Sequence, residues 1–135
     1  MTPQELLDAA RDLMQRPGAS LDGIWPRAAA LLARQALEAA MAELWAANRQ
    51  AARLSEATMR SQELCLTAYL DPATASRITY LLAALSRACH YHPYELAPTA
   101  AELISWLDQA AQLVTQLHAA SAAPGSDRRA STGSG

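Results

Sequence analysis

The sequence predicts an all-α protein, an up-and-down bundle of four main helices plus a short N-terminal helix. Three observations carry this. Apolar residues recur at a spacing of about 3.6 residues along several segments, two Thr-x-x-Glu capping boxes open segments of that kind, and no run shows the alternation of a strand. At 135 residues and 51% hydrophobic, the chain is long enough for one compact domain with a real core and too short for two. That domain is expected to span residues 1–122. Residues 123–135 are expected to form a disordered tail, because Pro124 to Gly135 is rich in Gly, Ser, Arg and Thr and holds no large apolar residue to offset its ordering entropy.

Thr2-Pro3-Gln4-Glu5 is the first capping box, with proline at the first helical position. It predicts a short, peripheral helix running to about Gln15 and stopping before Pro17-Gly18. The next and longest helix starts near Pro26, presents a stripe of Leu37, Met41, Leu44, Trp45 and Asn48 flanked by Arg34, Glu38 and Glu43, and should end around Arg53. Ser55 or Thr58 caps a third helix, with Met59, Leu64, Leu66 and Leu70 as its apolar positions before the break at Asp71-Pro72. Asp71 caps the fourth, in which Ile78, Leu82, Leu85 and Cys89 share a stripe. Pro93 disfavours helical geometry at His92, so this helix should finish just there. Thr99-Ala100-Ala101-Glu102, the second capping box, opens a last helix with Leu103, Leu107, Val114 and Leu117 on one side.

Composition narrows the function classes. The longest apolar region, Ala28 to Ala47, is broken by Arg34, Glu38 and Glu43, so no segment crosses a bilayer without burying charge. Met1 leads directly into polar residues, unlike a secretory signal, and a cytoplasmic protein with no membrane partner is expected. Cys65 and Cys89 read as reduced thiols packed as small apolar groups. A formal charge of -2 gives no global attraction for nucleic acid, so RNA binding needs a local patch or a dimer that gathers arginines. All eleven basic residues are arginine, which together with the abundant alanine fits a high-GC bacterial genome.

The residues that look built for chemistry lie at the end of the fourth helix, in Arg87-Ala88-Cys89-His90-Tyr91-His92-Pro93-Tyr94. A permanent cation that holds an anion, beside an imidazole that moves protons near neutrality, is what phosphate-ester chemistry needs. On a regular helix Arg87 and His92 would point about 140° apart. Termination at Pro93 lets His92 turn toward the face that carries Arg87, Tyr80, Ala84 and Tyr91. That face is made of small and amphipathic residues and admits close approach by another helix, for instance in a symmetric dimer.

With Arg87 followed after four residues by His92, and Pro93-Tyr94 completing a His-x-Tyr ending, the segment resembles the HEPN superfamily. These are all-helical proteins, many of them metal-independent ribonucleases. The long helix with Ala29 to Trp45 and the return helix from Pro72 to Tyr91 also look like that fold's paired helices. The resemblance spans roughly residues 25 to 117 in architecture and three residues in motif, and Ala88 stands where the family usually carries a polar residue. It implies a homodimer whose two motifs meet in a cleft and which cleaves RNA, either tRNA or mRNA, without a cofactor. His92 would be the general base or acid for attack by a ribose 2′-hydroxyl, Arg87 would stabilise charge on the phosphorane, and His90 and Tyr91 would support them. It also implies that Tyr94 is the tyrosine a partner nucleotidyltransferase antitoxin modifies with AMP in some members.

Other assignments compete for the same residues. Arginine and histidine suit any helix C-terminus, where they complete orphan carbonyls and meet the helix dipole, and Arg87, His90 and His92 all stand there. The functional alternative is a non-catalytic helical bundle, an interaction or regulatory subunit that binds a protein partner. Cys89, His90 and His92 are possible metal ligands, but no second cluster completes a tetrahedral set, so no metal site is assigned. His118 reads as a surface cap, Trp45 and Trp106 as core, and Arg49, Arg53 and Arg60 as solvated charges around one helix junction.

Overall fold

Four long helices lie side by side in the computed structural model, which describes residues 1–15, 25–90 and 98–123. These are α1 (Pro3–Gln15), α2 (Trp25–Ala47), α4 (Pro72–Cys89) and α5 (Ala100–Ala122), with a short α3 (Met59–Cys65) at a corner between α2 and α4. There is no strand among the described residues, and none of their helices is long and apolar enough to cross a membrane. The all-α bundle is therefore the fold class that the periodicity predicts. Pro17-Gly18, the Tyr91-to-Tyr94 segment and the tail from Pro124 lie outside the described residues.

Helix α2 is the axis of the bundle and touches α1, α4 and α5. It does so because it is buried around a wide arc: Ala29, Ala33, Ala36 and Ala40 are fully buried together with Leu37, Met41, Leu44 and Trp45. Alanine carries no side chain beyond Cβ, so neighbouring helices approach closely on that arc while the larger residues fill the remaining space. Helix α1 is not peripheral. Leu7 and Ala10 are fully buried in the shared core, and the helix packs on both α2 and α5. Its capping box forms as written, with Thr2 Oγ1 accepting from Glu5 N–H at 3.1 Å and the Glu5 carboxylate accepting from Thr2 N–H at 2.9 Å.

The long helix ends at Ala47, short of the expected Arg53. Asn48 leaves it with φ -120° and ψ 113°, and its side-chain amide donates to the Leu44 carbonyl at 2.8 Å. An asparagine that satisfies a terminal carbonyl itself competes with the next helical turn. The chain continues as a 3₁₀ segment, Arg49–Glu56, in which only Ala51 is buried. Thr58, not Ser55, caps α3, accepting from Ser61 N–H at 3.2 Å. The third helix is then shorter than its apolar pattern predicts, tightening into a 3₁₀ turn at Leu66–Ala68. Leu64 stands about 160° round the helix from Leu66, as a separation of two residues dictates. Leu66 and Leu70 go into the core and Leu64 is left 72% exposed.

This corner is pinned by a buried polar contact. Trp45 Nε1 donates to Gln62 Oε1 at 2.9 Å, Gln62 Nε2 donates to the Ala57 carbonyl at 3.0 Å, and Tyr69 packs edge-on against Trp45 with centroids 5.6 Å apart. Arg34, Glu38 and Arg27 of α2 act on Cys89 at the end of α4, while Trp45 near the end of α2 packs on Tyr69 just before α4 begins, so α2 and α4 run antiparallel. His118 Nδ1 lies 3.9 Å from Glu43 Oε2, equally deep into two 23-residue helices, so α5 runs parallel to α2. His118 faces that carboxylate on the surface and is no cap.

Asp71 caps α4 as expected, its carboxylate accepting from Thr74 N–H at 3.1 Å and from the Thr74 hydroxyl at 2.6 Å. Hydrogen bonds from the Thr74 side chain and then its backbone hold the Asp71 carboxyl below its ordinary value. A lowered folded-state pKa contributes stability above the unfolded pKa and loses it as pH falls through the folded one. The melting temperature of Asp71→Asn should thus lie below wild type at neutral pH, with the gap closing as pH falls below about 4. A gap that stays constant down to pH ~2.5 would show that the charge plays no part in the cap.

Candidate functional site

Arg87 lies in the last turn of α4, whose inner face is made by Ile78, Leu81, Leu82 and Leu85. Nine residues beyond Ile78, it points about 180° away from the core axis of that helix. It is exposed, and among the described residues it has no ion-pair partner. No acidic residue occurs from Pro72 to Cys89, so the guanidinium stands on a helix with no carboxylate of its own.

The helix ends at Cys89, three residues before the expected stop at His92. His90 has already left the helical region with φ -99° and ψ 98°, while its N–H is shared between the carbonyls of Ser86 at 3.3 Å and Arg87 at 3.2 Å. A shared final bond of this kind closes a helix by tightening its last turn. The helical path is therefore left at His90. The His90 ring is exposed. The catalytic candidate His92 and the candidates Tyr91 and Tyr94 lie outside the described residues.

The face expected to carry Arg87, Tyr80 and Ala84 together is split. Tyr80 is 64% exposed beside Arg87, whereas Ala84 is buried. Cys89 is on the other side of α4 from Arg87, about 160° around the helix. There its half-buried thiol is pushed up by desolvation, and Arg34, Glu38 and Arg27 of α2 act on it with smaller, partly cancelling effects. Arg34 Nε lies 3.4 Å from Glu38 Oε1, one turn along α2. It is sealed from solvent without a well-aligned hydrogen bond. This charged group behind α4 was legible in the sequence only as charges flanking a stripe, because the partner helix that covers it is remote in the chain.

Cys65 and Cys89 are both free thiols. Among the described residues no group of three His, Cys, Asp or Glu side chains is placed to hold a metal ion. Arg49, Arg53 and Arg60 are exposed, on the 3₁₀ segment and α3. Since α4 runs antiparallel to α2, they stand at the opposite end of the bundle from Arg87, and one protomer does not gather these arginines into one patch. What the described part of the site offers chemically is a solvent-facing guanidinium at a helix end, one turn from an exposed imidazole, suited to a phosphate oxyanion. Comparison with known proteins returns no matching family model, no matching curated protein and no matching solved structure.

Proposed function

We propose that this chain is a HEPN-like, metal-independent endoribonuclease of the toxin or defence type, acting on tRNA or mRNA through Arg87 and His92. The observation that supports the reading is Arg87 itself, exposed at the end of α4 with no competing carboxylate among the described residues, five positions before His92 in the sequence. In the proposed reaction His92 takes the proton of a ribose 2′-hydroxyl as that oxygen attacks the adjacent phosphorus. Arg87 holds the phosphorane oxygens, and the 5′-oxygen leaves with a proton delivered by an acid group. The products are a 2′,3′-cyclic phosphate and a 5′-hydroxyl. A homodimer, support from His90 and Tyr91, and control by a nucleotidyltransferase that modifies Tyr94 belong to the same proposal.

The second reading is an interaction or regulatory subunit, favoured by the exposure of Tyr80 on α4 and Leu64 on α3. One experiment separates them. The purified protein is incubated with total RNA and with tRNA in EDTA, beside an Arg87→Ala/His92→Ala variant whose circular dichroism matches wild type. Cleavage by wild type alone, leaving cyclic-phosphate ends, is the expected result. Absence of cleavage by either protein would remove the nuclease reading and leave the interaction subunit.

A further inference from the structure

Among the described residues Tyr80 is the one large apolar side chain exposed on α4, at 64%, and its ring and hydroxyl have no partner there. It stands between two arginines. Arg87 lies seven residues further on, about 20° round the helix and about 10 Å along it, and Arg77 lies three residues before, about 60° to one side. Both are exposed, and neither has an ion-pair partner among the described residues; Arg77 Nη2 donates to the neutral Thr74 hydroxyl at 3.5 Å. The helix itself holds no carboxylate, and the Asp71 that caps it is nine residues from Tyr80, about 180° round. Between Tyr80 and Arg87 this face carries only Ala83, exposed and with no side chain beyond Cβ. Helical side chains lean over the turn that precedes them, so the path of Arg87 toward the tyrosine is clear.

We propose that this face binds an unpaired stretch of RNA, with a nucleobase stacked on Tyr80 and the adjoining backbone phosphates held by Arg87 and Arg77. The proposal rests on the nuclease reading for its ligand and specifies the substrate class of that site: single strands and loops, not duplex. The surroundings of the ring select this occupant. A protein partner is anchored by clustered apolar and aromatic residues, whereas the exposed neighbours of Tyr80 on α4 are Ser76, Arg77, Thr79 and Ala83. An isolated ring between cations fits a nucleotide, whose base offers a π-face and whose backbone offers the anions. A chain of formal charge -2 has no general attraction for a polyanion, so binding requires a local patch free of carboxylates. Bases inside a duplex already stack on one another, and only unpaired ones are free to stack on a side chain. Every base has a π-face, so the ring reads strandedness and leaves sequence to other contacts.

The test is fluorescence anisotropy with a short labelled RNA of mixed, non-self-complementary sequence, 2′-O-methylated throughout so that it cannot be cut. An abasic strand of the same length and the corresponding duplex are measured beside it. Wild type should bind the single strand more tightly than the duplex. Tyr80→Ala should weaken single-strand binding about fivefold or more, Tyr80→Phe should keep it, and on the abasic strand Tyr80→Ala should match wild type. Arg77→Gln should weaken binding to the single and abasic strands alike. These positions are exposed, so each variant should melt like wild type. Single-strand binding indifferent to Tyr80→Ala, an equal loss on the abasic strand, or a duplex bound as tightly as the single strand overturns the proposal. A wild type that binds no strand also overturns it and leaves Tyr80 to a protein partner. The nuclease reading is scored separately, on the same sequence with its 2′-hydroxyls free. Cleavage by wild type and Tyr80→Ala at equal kcat/KM removes the stack and leaves the nuclease. Tyr80-dependent binding without cleavage removes the nuclease and leaves the stack.

Discussion

Replacing Trp45 with alanine should cost the protein about 3–5 kcal/mol and lower its melting temperature by roughly 10–25 °C. The indole is fully buried at the corner where α2 gives way to the 3₁₀ segment, so its removal leaves a cavity that fixed helices cannot close. The loss is compounded because Gln62, itself only 7% exposed, keeps its Ala57 bond but loses the donor to Oε1. A buried acceptor left unpaired costs about 1–3 kcal/mol. Trp45→Phe is the milder variant, since it keeps an aromatic ring against Tyr69 while removing the N–H and part of the ring volume. It should fall between wild type and alanine in a calorimetric melt. If Trp45→Ala melts within a few degrees of wild type, the corner is not an anchor and the fold's stability lies elsewhere.

Removal of residues 1–15 should abolish cooperative unfolding, because α1 is a full member of the core. Leu6, Leu7 and Ala10 are buried against α2 and α5, and without them the apolar surfaces of two long helices face water. For a domain whose net stability is about 5–15 kcal/mol, uncovering that much apolar area exceeds the margin. Leu7→Ala gives the graded form, an expected loss of about 2–5 kcal/mol. The ion pair between Arg11 and Asp108, 3.4 Å apart with both side chains well exposed, adds little, so Arg11→Ala should stay within about 1 kcal/mol of wild type. A truncated chain that still melts sharply at a similar temperature would return α1 to the periphery.

Those two expectations mark where the sequence was readable and where it was not. Caps were readable because they are local. Thr2, Asp71 and Thr99 each sit three residues before the backbone N–H that their side chains accept from, and every bond formed as the spacing implies. The stripes of α2, α4 and α5 were readable because a helical period identifies the inward face whatever lies across from it. Boundaries were not. Asn48 ended α2 by bonding back to Leu44, and α3 tightened into a 3₁₀ turn at Leu66, both choices made by how the corner had to pack. Nothing local marks Gln62 for burial; its partner Trp45 stands seventeen positions away.

The candidate site divides in the same way. That Asp71 starts α4 and that Arg87 stands near its end follow from sequence alone, whereas its stop at Cys89, short of the expected His92, does not. That Arg87 faces solvent with Tyr80, that Cys89 faces the charges of α2, and that Arg49, Arg53 and Arg60 stand at the other end follow only from packing. By itself the sequence determined the helices, their caps and their inward faces, because these depend on interactions within a few residues. Which helices touch, how far each one runs and which charges become neighbours depended on burying apolar area across distant segments. Only the assembled bundle decides those.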